Sequence, residues 1–549
     1  MKRLSGRALA RMRIPSAVGA MRRPVLLSGT RAMNTATKPA ATGFVPGEDL
    51  STLSSFLSKP EGSNGTVISS SYQACKVIDL TAKAGVRLGT VVTFPSGDLG
   101  VVTSFDNTNA NVVFLQPGAG RTGDEVTCTG DILCLDTTWM SDKNLKKSIA
   151  EVMVSADTSP SKGIFSAPRA PLLSQRARVG SRIETGIHAL ELLYPIAHGQ
   201  RVLLVGPAGS GKSTFCGTIA KQSGCKVVYS SINSNLSKKG QEMFSSNTIS
   251  FNADPLAGSL LEAYLSPLVA FRTAEKLRNN GEKVILVLDD LEQHIVLGHE
   301  LEKLAGGSLP FRPGAMTQSI LDCAGNTKDG GSISVIAVAN LASAEDLAQL
   351  SPAMRKVDTE LSSIVDLRLR FDIQQAAKGY YPAIDLSAFP TVSPVLHHQH
   401  AGIRPLGKQS RWKLTDALKN QETLEMKEGL KLHIELNEED DARSFKAFKW
   451  MFSQRRGYTL AETYVIFQAA NFFYFIGKSP TSDAIAEFQE QVLQLVNHYA
   501  PDTFTEIEEL LSNPAEDLTY DYLARMNEKL QIVFLDHRME FDLVRPVDI

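Results

Sequence analysis

Residues Gly199–Thr214 read GQRVLLVGPAGSGKST, an apolar run followed at once by a glycine-rich turn. The run from Val202 to Val205 has the composition of a short buried strand. It leads into Gly-x-x-x-x-Gly-Lys-Ser at 206–213, the pattern of a phosphate-binding loop between a strand and a helix start. A glycine-rich turn that binds no ligand is the alternative interpretation. The strand before the motif and the helix start after it favour the phosphate loop.

Each residue type in this loop has a physical role in holding phosphate. The glycines allow backbone conformations that a side chain would forbid, so that successive N–H groups converge on phosphate oxygens at a helix N-terminus. Lys212 would place a positive charge on the outer phosphates, and Ser213 would offer a hydroxyl ligand to Mg²⁺. The predicted binding residues are Gly206, Pro207, Ala208, Gly209, Ser210, Gly211, Lys212, Ser213 and Thr214.

A second signal for the same site follows further along the chain. Residues 283–290 read KVILVLDD, an apolar strand that ends in acidic residues. The carboxyl ends of parallel strands meet at one edge of a sheet, so Asp289 is expected beside the phosphate loop. There it would hold Mg²⁺ through water, as the corresponding acid does in phosphate-loop enzymes. Ser213 and Asp289 are therefore the predicted metal residues.

Length and composition set outer bounds on the fold and the function. A chain of 549 residues is too long for one ordinary core, so several domains are expected. The net charge of −2 argues against nucleic acid as a partner. No apolar run approaches the roughly 20 residues of a membrane-spanning helix. The six cysteines form no metal-ligand spacing, which predicts reduced core thiols inside a cell.

The first 47 residues differ from the rest of the chain. They carry nine basic residues and several serines and alanines, and the first acidic residue is Glu48. This is the composition of a mitochondrial transit peptide, so residues 1–47 are left out of the fold prediction. A disordered basic tail and an import signal for another organelle are the alternatives.

Patterns after this segment predict further domains. Short β-branched runs between turn residues predict a small β-barrel or sandwich at 60–136, followed by a polar, proline-containing linker at 137–182. Strand-like and helix-like segments then alternate as in a doubly wound α/β domain at 183–409, and apolar residues at helical spacing predict a helical domain at 410–549. The elements expected in these two domains are a helix through Lys221, strands at 226–231, 283–289, 333–339 and 364–371, and helices at 260–278, 459–475, 484–499 and 520–534.

Several motifs together resemble the alpha subunit of F-type ATP synthase. They are the segment from Glu184 to Arg201, the segment Leu261–Leu291 with its Leu-Asp-Asp-Leu, Lys-Gly-Tyr-Tyr-Pro-Ala-Ile at 378–384, and the stretch from Gly457 to Gly477. The resemblance implies a β-barrel crown, a central nucleotide domain of phosphate-loop (RecA-like) type and a C-terminal helical bundle. It also implies a non-catalytic subunit that binds ATP or ADP with Mg²⁺ and supports proton-driven ATP synthesis. The implied partners are beta-type subunits in a hexamer around a central-stalk rotor, on the matrix side of the mitochondrial inner membrane without a membrane span of its own.

Two departures from the family pattern concern catalysis. Catalytic beta subunits carry a water-polarising glutamate after the strand that follows the phosphate-loop helix, where alpha subunits have glutamine. The corresponding stretch here, Ser231–Leu236, has no carboxylate, so hydrolysis is expected to be slow. The position of the family's arginine finger falls at Val392, and loss of a finger removes about 10³ to 10⁵ in rate from the partner's site. Arg404 or Arg411 would have to supply the missing finger, after a shift in the loop.

Other departures concern base contacts and loops. Ala208 and Gly209 replace Arg-Gln in the family's phosphate loop, and Arg455, Arg456 and Gly457 replace glutamines in the adenine-contacting turn. His397, His398 and His400 follow the position of the missing finger, and they would either bind Zn²⁺ or form a solvated surface loop. The acidic run at 438–441 is most simply a solvated face.

Three functions are compatible with these patterns. The first is an alpha-type subunit built into a mitochondrial F-type ATP synthase. The second is a diverged paralogue that acts as a nucleotide-binding scaffold or in an alternative hexameric ATPase. The third is a ring ATPase of secretion or helicase type that hydrolyses ATP itself.

Overall fold

The computed structural model of the chain describes the following residues: 63–80, 86–106, 108–136, 138–141, 149–156, 163–179, 181–232, 247–256, 258–306, 313–340, 363–386, 403–430, 448–475, 481–512, 520–537 and 544–546. The predicted segment at 1–47 lies outside these residues, as do Val392, the three histidines at 397–400 and the acidic run at 438–441. All described residues belong to one compact unit, Lys59–Ile549.

The first described part is a closed antiparallel barrel. Its strands pair in the order β1-β2-β5-β4-β3-β6, and β1 also pairs with β6, which closes the ring. Alternate residues such as Val77, Val92, Val112 and Phe114 fill the interior. The predicted β-barrel is therefore confirmed. The strands are β1 (Ser63–Ser70), β2 (Ala74–Ile78), β3 (Thr90–Thr93), β4 (Leu99–Asp106), β5 (Asn109–Phe114) and β6 (Glu125–Leu135).

The segment predicted as an irregular linker contains short regular elements. A 3₁₀ turn (Thr138–Ser141) is followed by α1 (Ile149–Val152) and β7 (Met153–Ala156), and β7 pairs with β6. A further strand, β8 (Arg176–Ala177), joins the next sheet. These elements span at most four residues each, which is too short for hydrophobic periodicity to show them.

The central domain is built on a mostly parallel sheet. Six parallel strands lie in the order β11-β10-β12-β14-β9-β15, and β13 adds antiparallel pairs with β14 and β8. Parallel sheets are covered on both faces, which explains why these strands read as continuous apolar runs. The strands are β9 (Arg201–Val205), β10 (Lys226–Ser231), β11 (Thr248–Asn252), β12 (Lys283–Asp289), β13 (Gly325–Thr327), β14 (Ser332–Ala339) and β15 (Leu367–Arg370).

Helices cover the two faces of this sheet. Phe215 and Ile219 pack on one face with Val227, whereas Leu268 packs on the other face with Val228. This arrangement confirms the predicted α/β class, while the exact domain boundaries stay predictions. The helices are α2 (His188–Leu192), α3 (Lys212–Gln222), α4 (Leu260–Asn279), α5 (Leu291–Leu304), α6 (Pro313–Asp322) and α7 (Ile373–Ala377).

The C-terminal part is mainly helical, as predicted. One expectation is wrong in detail: the helix predicted at 459–475 ends at Phe472, and β16 (Phe473–Phe475) pairs antiparallel with β17 (Val544–Pro546). Aromatic residues favour strands, and the pairing is too distant in sequence for a local pattern to reveal. Among the described residues, no helix combines the length and the hydropathy of a membrane span. The helices are α8 (Arg404–Gly429), α9 (Leu460–Phe472), α10 (Ser482–Tyr499), α11 (Pro501–Ser512) and α12 (Tyr520–Asp536).

Two buried histidines should make the stability of the folded chain depend on pH. His188 Nδ1 lies 3.0 Å from Thr463 Oγ1, and His294 Nδ1 lies 3.1 Å from Thr317 Oγ1. Burial lowers the pKa of His188 to about 3 and that of His294 to about 4. The unfolded chain binds protons at these rings below about pH 6.5, and the folded chain does not. Stability is therefore complete above pH 6.5 and falls as the pH drops toward 4, by about 2 kcal/mol per histidine at pH 5.

Thermal unfolding between pH 7.5 and pH 5 measures this effect. The melting temperature should fall with pH, and His294→Gln should reduce the slope. His299, which is exposed on the same helix, is the matched control, and His299→Gln should leave the slope unchanged. A His294→Gln variant whose melting temperature depends on pH as steeply as that of the wild type contradicts the prediction.

Candidate functional site

The glycine-rich loop lies at the carboxyl end of β9, which runs between β14 and β15 in the sheet. Gly209 and Gly211 have φ angles of 81° and 90°, a region that side chains rarely adopt. Gly211 immediately precedes α3, so the loop delivers the chain directly into the helix N-terminus. At Gly206 a Cβ atom would lie 2.6 Å from the carbonyl oxygen of Phe371. The glycines predicted from the motif are thus required by backbone conformation and by close approach.

Lys212 is buried at the start of α3 and turns back over the loop. Its Nζ atom donates hydrogen bonds of 2.7 Å to the carbonyl oxygens of both Gly206 and Pro207. Burial lowers the pKa of Lys212, and the carboxylates of Asp289 and Asp290 oppose that shift. The ammonium group is therefore held at the centre of the loop.

Asp289 and Ser213 meet at the edge of the sheet, as the sequence predicts. Ser213 Oγ donates a hydrogen bond of 2.7 Å to Asp289 Oδ2, and Tyr229 OH donates one of 2.6 Å to the same oxygen. A hydroxyl and a carboxylate are oxygen ligands of the type that Mg²⁺ prefers. The described residues contain no cluster of three or more His, Cys, Asp or Glu side chains able to hold a metal ion by themselves. The donor set thus fits a cation that takes its other ligands from water and phosphate.

Asp290, next to Asp289, has a different role. It is the N-cap of α5, where its carboxylate accepts a hydrogen bond of 2.9 Å from Gln293 N. The side-chain amide of Asn340 donates to its other oxygen. Burial raises the pKa of Asp290 to about 7. Asp290 therefore anchors the helix, whereas Asp289 faces the phosphate loop.

The turn at 454–458 packs against the far end of α3. Gln454 is buried, and its amide nitrogen donates to the carbonyl oxygens of Gly186 and Arg456 at 2.7 and 2.6 Å. At Gly457 a Cβ atom would lie 2.4 Å from the side-chain nitrogen of Gln222. This turn is therefore fitted closely to the helix that carries Lys212.

The arginines that replace glutamines in this turn form ion pairs. Arg456 binds Glu462 and Glu490, each at 2.8 Å, and its guanidinium lies 4.1 Å from the ring centre of Tyr458. Arg455 pairs with Asp483. Both arginines thus tie the turn to α9 and α10.

Some predicted positions can be compared with the structure only in part. Of the stretch that lacks the water-polarising carboxylate, Ser231 and Ile232 are described, and 233–236 lie outside the described residues. Arg411 donates a hydrogen bond of 3.0 Å to the carbonyl oxygen of Leu193, so it packs α8 against α2. That contact speaks against Arg411 as a replacement arginine finger.

Sequence reasoning missed Tyr229 as a part of this site, and it missed the contact that Tyr381 makes with the helix that carries Lys212. Tyr381 OH lies 2.6 Å from Thr218 Oγ1 on α3. A tyrosine in an apolar run reads as core, and only the strand register shows that Tyr229 reaches Asp289. No local signal would have found either contact.

Comparison with known proteins agrees with this geometry. Residues 186–389 match the family described as ATP synthase alpha/beta family, nucleotide-binding domain. The central part of the chain is thus similar to that family. The match covers the phosphate loop, Asp289 and β15, and nucleotide binding is the property that the family description carries.

Individual relatives are distant. ATP synthase subunit alpha of Buchnera aphidicola (strain Tuc7) is 28% identical over 42% of this chain, and the chain spans about half (47%) of that relative's length. The type 3 secretion system ATPase of Pseudomonas savastanoi pv. phaseolicola is 26% identical over 42% of this chain and 53% of its own. ATP synthase subunit alpha of Ehrlichia canis (strain Jake) is 22% identical over 81% of this chain and 90% of its own. The chain is a divergent, alpha-subunit-like protein.

Proposed function

We propose that this chain is a non-catalytic, alpha-type subunit of a mitochondrial F-type ATP synthase that binds Mg-ATP. In this proposal it forms a hexameric ring with beta-type subunits around a central-stalk rotor, and it supports proton-driven ATP synthesis at the matrix side of the inner membrane. The observation that carries the proposal is the convergence of the phosphate loop, Lys212, Ser213 and Asp289 at one edge of the sheet. The alpha-subunit relatives and the Arg-rich N-terminus support the assignment to this complex.

Each residue at this edge of the sheet would make a different contact with the bound nucleotide. Backbone N–H groups of the loop and the start of α3 bind phosphate oxygens, and Lys212 balances their charge. Ser213 and Asp289 would hold Mg²⁺, which neutralises phosphate charge when it is bound. Tyr229 orients the Asp289 carboxylate through its 2.6 Å hydrogen bond. Together these residues would bind a nucleotide through its phosphates and Mg²⁺.

Hydrolysis is expected to be slow at this site. Neither Ser231 nor Ile232 offers a carboxylate to orient an attacking water, and the sequence at 233–236 has none either. Positioning of that water supplies much of the rate in phosphate-loop enzymes. The purified chain should bind Mg-ATP saturably in calorimetry and turn it over at less than roughly 10⁻² s⁻¹. Rapid turnover that disappears in Lys212→Ala would instead support an active ring ATPase.

A second experiment tests the complex. Affinity purification of the mitochondrial ATP synthase should recover this chain in equal amount to the beta subunit. Recovery of the complex with another alpha chain in its place contradicts the proposal.

The alternative function is a diverged paralogue that acts as a nucleotide-binding scaffold or in a different hexameric ATPase. Two observations favour it: Val392 stands where the family has its arginine finger, and a type 3 secretion system ATPase is among the relatives. A second alpha chain with an intact finger motif in the same genome, together with other partners in a pull-down, would support this function.

A further inference from the structure

Ser231 is a buried polar residue whose side chain has no assigned role. It is the last residue of β10, and its exposed fraction is 0%. Among the described residues its Oγ atom has no hydrogen-bond partner. A buried hydroxyl without a partner is costly to the folded protein, because the hydroxyl loses its hydrogen bonds with water. A binding role for this hydroxyl would explain why a polar group is kept there.

Strand geometry shows which face of the sheet carries this hydroxyl. Side chains alternate along a strand, and Val227 and Tyr229 pack with α3 on the face of the phosphate loop. Ser230 points to the opposite face, where its Oγ lies 2.8 Å from Ser266 Oγ on α4. Ser231, two residues after Tyr229, therefore lies on the phosphate-loop face.

Strand register then places Ser231 beside the predicted metal residue. β10 and β12 are parallel neighbours, and Ser231 is the register partner of Asp289. Ile232 N donates a hydrogen bond of 2.8 Å to the carbonyl oxygen of Asp289, which fixes the two strand ends side by side. Two other hydroxyls, from Ser213 and Tyr229, already converge on the Asp289 carboxylate. The Ser231 hydroxyl is thus an additional polar group at the same sheet edge.

We propose that Ser231 is a ligand-binding residue whose hydroxyl hydrogen-bonds to the Mg²⁺–phosphate group of a bound nucleoside triphosphate. The inference rests on the proposed function and adds a residue to that site. Its partner is an oxygen atom, either of a metal-bound water or of the terminal phosphate. The hydroxyl that has no partner within the described protein gains one when the nucleotide binds.

The test measures nucleotide affinity and stability of the full chain with Ser231→Ala. Removal of one hydrogen bond to a charged group should weaken Mg-ATP binding by about 10-fold. The melting temperature without nucleotide should stay the same or rise, because the variant removes a buried polar group that has no partner. Ser230→Ala is the matched control, since the adjacent serine is equally buried but faces α4. It should keep the Mg-ATP affinity and lower the melting temperature, because it loses the bond to Ser266.

Three ligands identify the oxygen that Ser231 contacts. Weaker binding of both Mg-ATP and Mg-ADP, with ATP in EDTA unaffected, assigns the contact to a metal-bound water. Weaker binding of ATP with and without Mg²⁺, with Mg-ADP unaffected, assigns it to the terminal phosphate.

Equal affinities of Ser231→Ala and the wild type for all three ligands overturn the inference and leave the proposed function standing. A lower melting temperature with equal losses for all three ligands shows a structural role and also overturns it. Absence of nucleotide binding by the wild type overturns both proposals.

Discussion

Lys212→Ala should weaken Mg-ATP binding by about 100-fold, which corresponds to about 2.7 kcal/mol. Lys212 is the only side chain of the glycine-rich loop that carries a positive charge, and its Nζ atom is held over the loop by the carbonyl oxygens of Gly206 and Pro207. Loss of the ammonium removes the positively charged side chain of the loop from the outer phosphates. Isothermal titration with the purified chain measures the change.

Lys221→Ala is the matched control for this prediction. Lys221 lies in the last turn of the same helix and is exposed, so its replacement should leave nucleotide affinity unchanged. Lys212→Arg keeps the charge but changes its shape, and it should recover part of the affinity. Unchanged affinity in Lys212→Ala, with a normal melting temperature, would show that the loop does not bind phosphate.

Gly206→Ala should destabilise the nucleotide domain by about 3 kcal/mol, since its new methyl group meets backbone rather than a flexible side chain. The Cβ atom would lie 2.6 Å from the carbonyl oxygen of Phe371 and 2.9 Å from the Phe371 Cβ. Phe371 cannot retreat easily, because its N–H donates a hydrogen bond of 2.7 Å to the carbonyl oxygen of Val205. β9 and β15 must therefore separate where the loop begins.

Thermal unfolding measures this loss. A domain of this size should lose about 6 °C or more in melting temperature. Gly429→Ala is the control, because Gly429 ends α8 without a positive φ angle, and a Cβ atom added there would meet no other atom within 4 Å. That substitution should be neutral or slightly stabilising, since alanine favours helix over glycine. A Gly206→Ala variant as stable as Gly429→Ala would contradict the close packing of loop and strand.

Much of the fold follows from local patterns in the sequence. The parallel strands are apolar runs because both faces of the sheet are covered, so the sequence predicts β10, β12 and β14 close to where they occur. The C-terminal helices at 482–499 and 520–536 carry apolar residues at helical spacing. Local patterns do not predict the short strands β7, β8, β16 and β17. Whether so few residues form a strand depends on their pairing with distant residues.

The two catalytic departures show a second limit of the sequence. The absence of a carboxylate at 231–236 can be read directly, because it depends only on which residues are present. The contacts of Arg411, one of the two arginines considered in place of the finger, and of Arg456, in the predicted adenine-contacting turn, cannot be read this way. Arg411 reaches the carbonyl oxygen of Leu193, and Arg456 pairs with Glu462 and Glu490, contacts that depend on how separate helices pack.

The sequence by itself determined the glycine-rich loop and the strand that ends in Asp289. Gly206–Ser213 is a contiguous motif whose backbone chemistry is local, and Asp289 follows from a strand that ends in an acid. Only the tertiary structure decided what surrounds them. The register of β10 on β12 brings Tyr229 and Ser231 beside Asp289, and the packing of α3 brings Ser213 to the same carboxylate. Register and packing depend on the free energy of the whole sheet and its helices, which no single stretch of sequence contains.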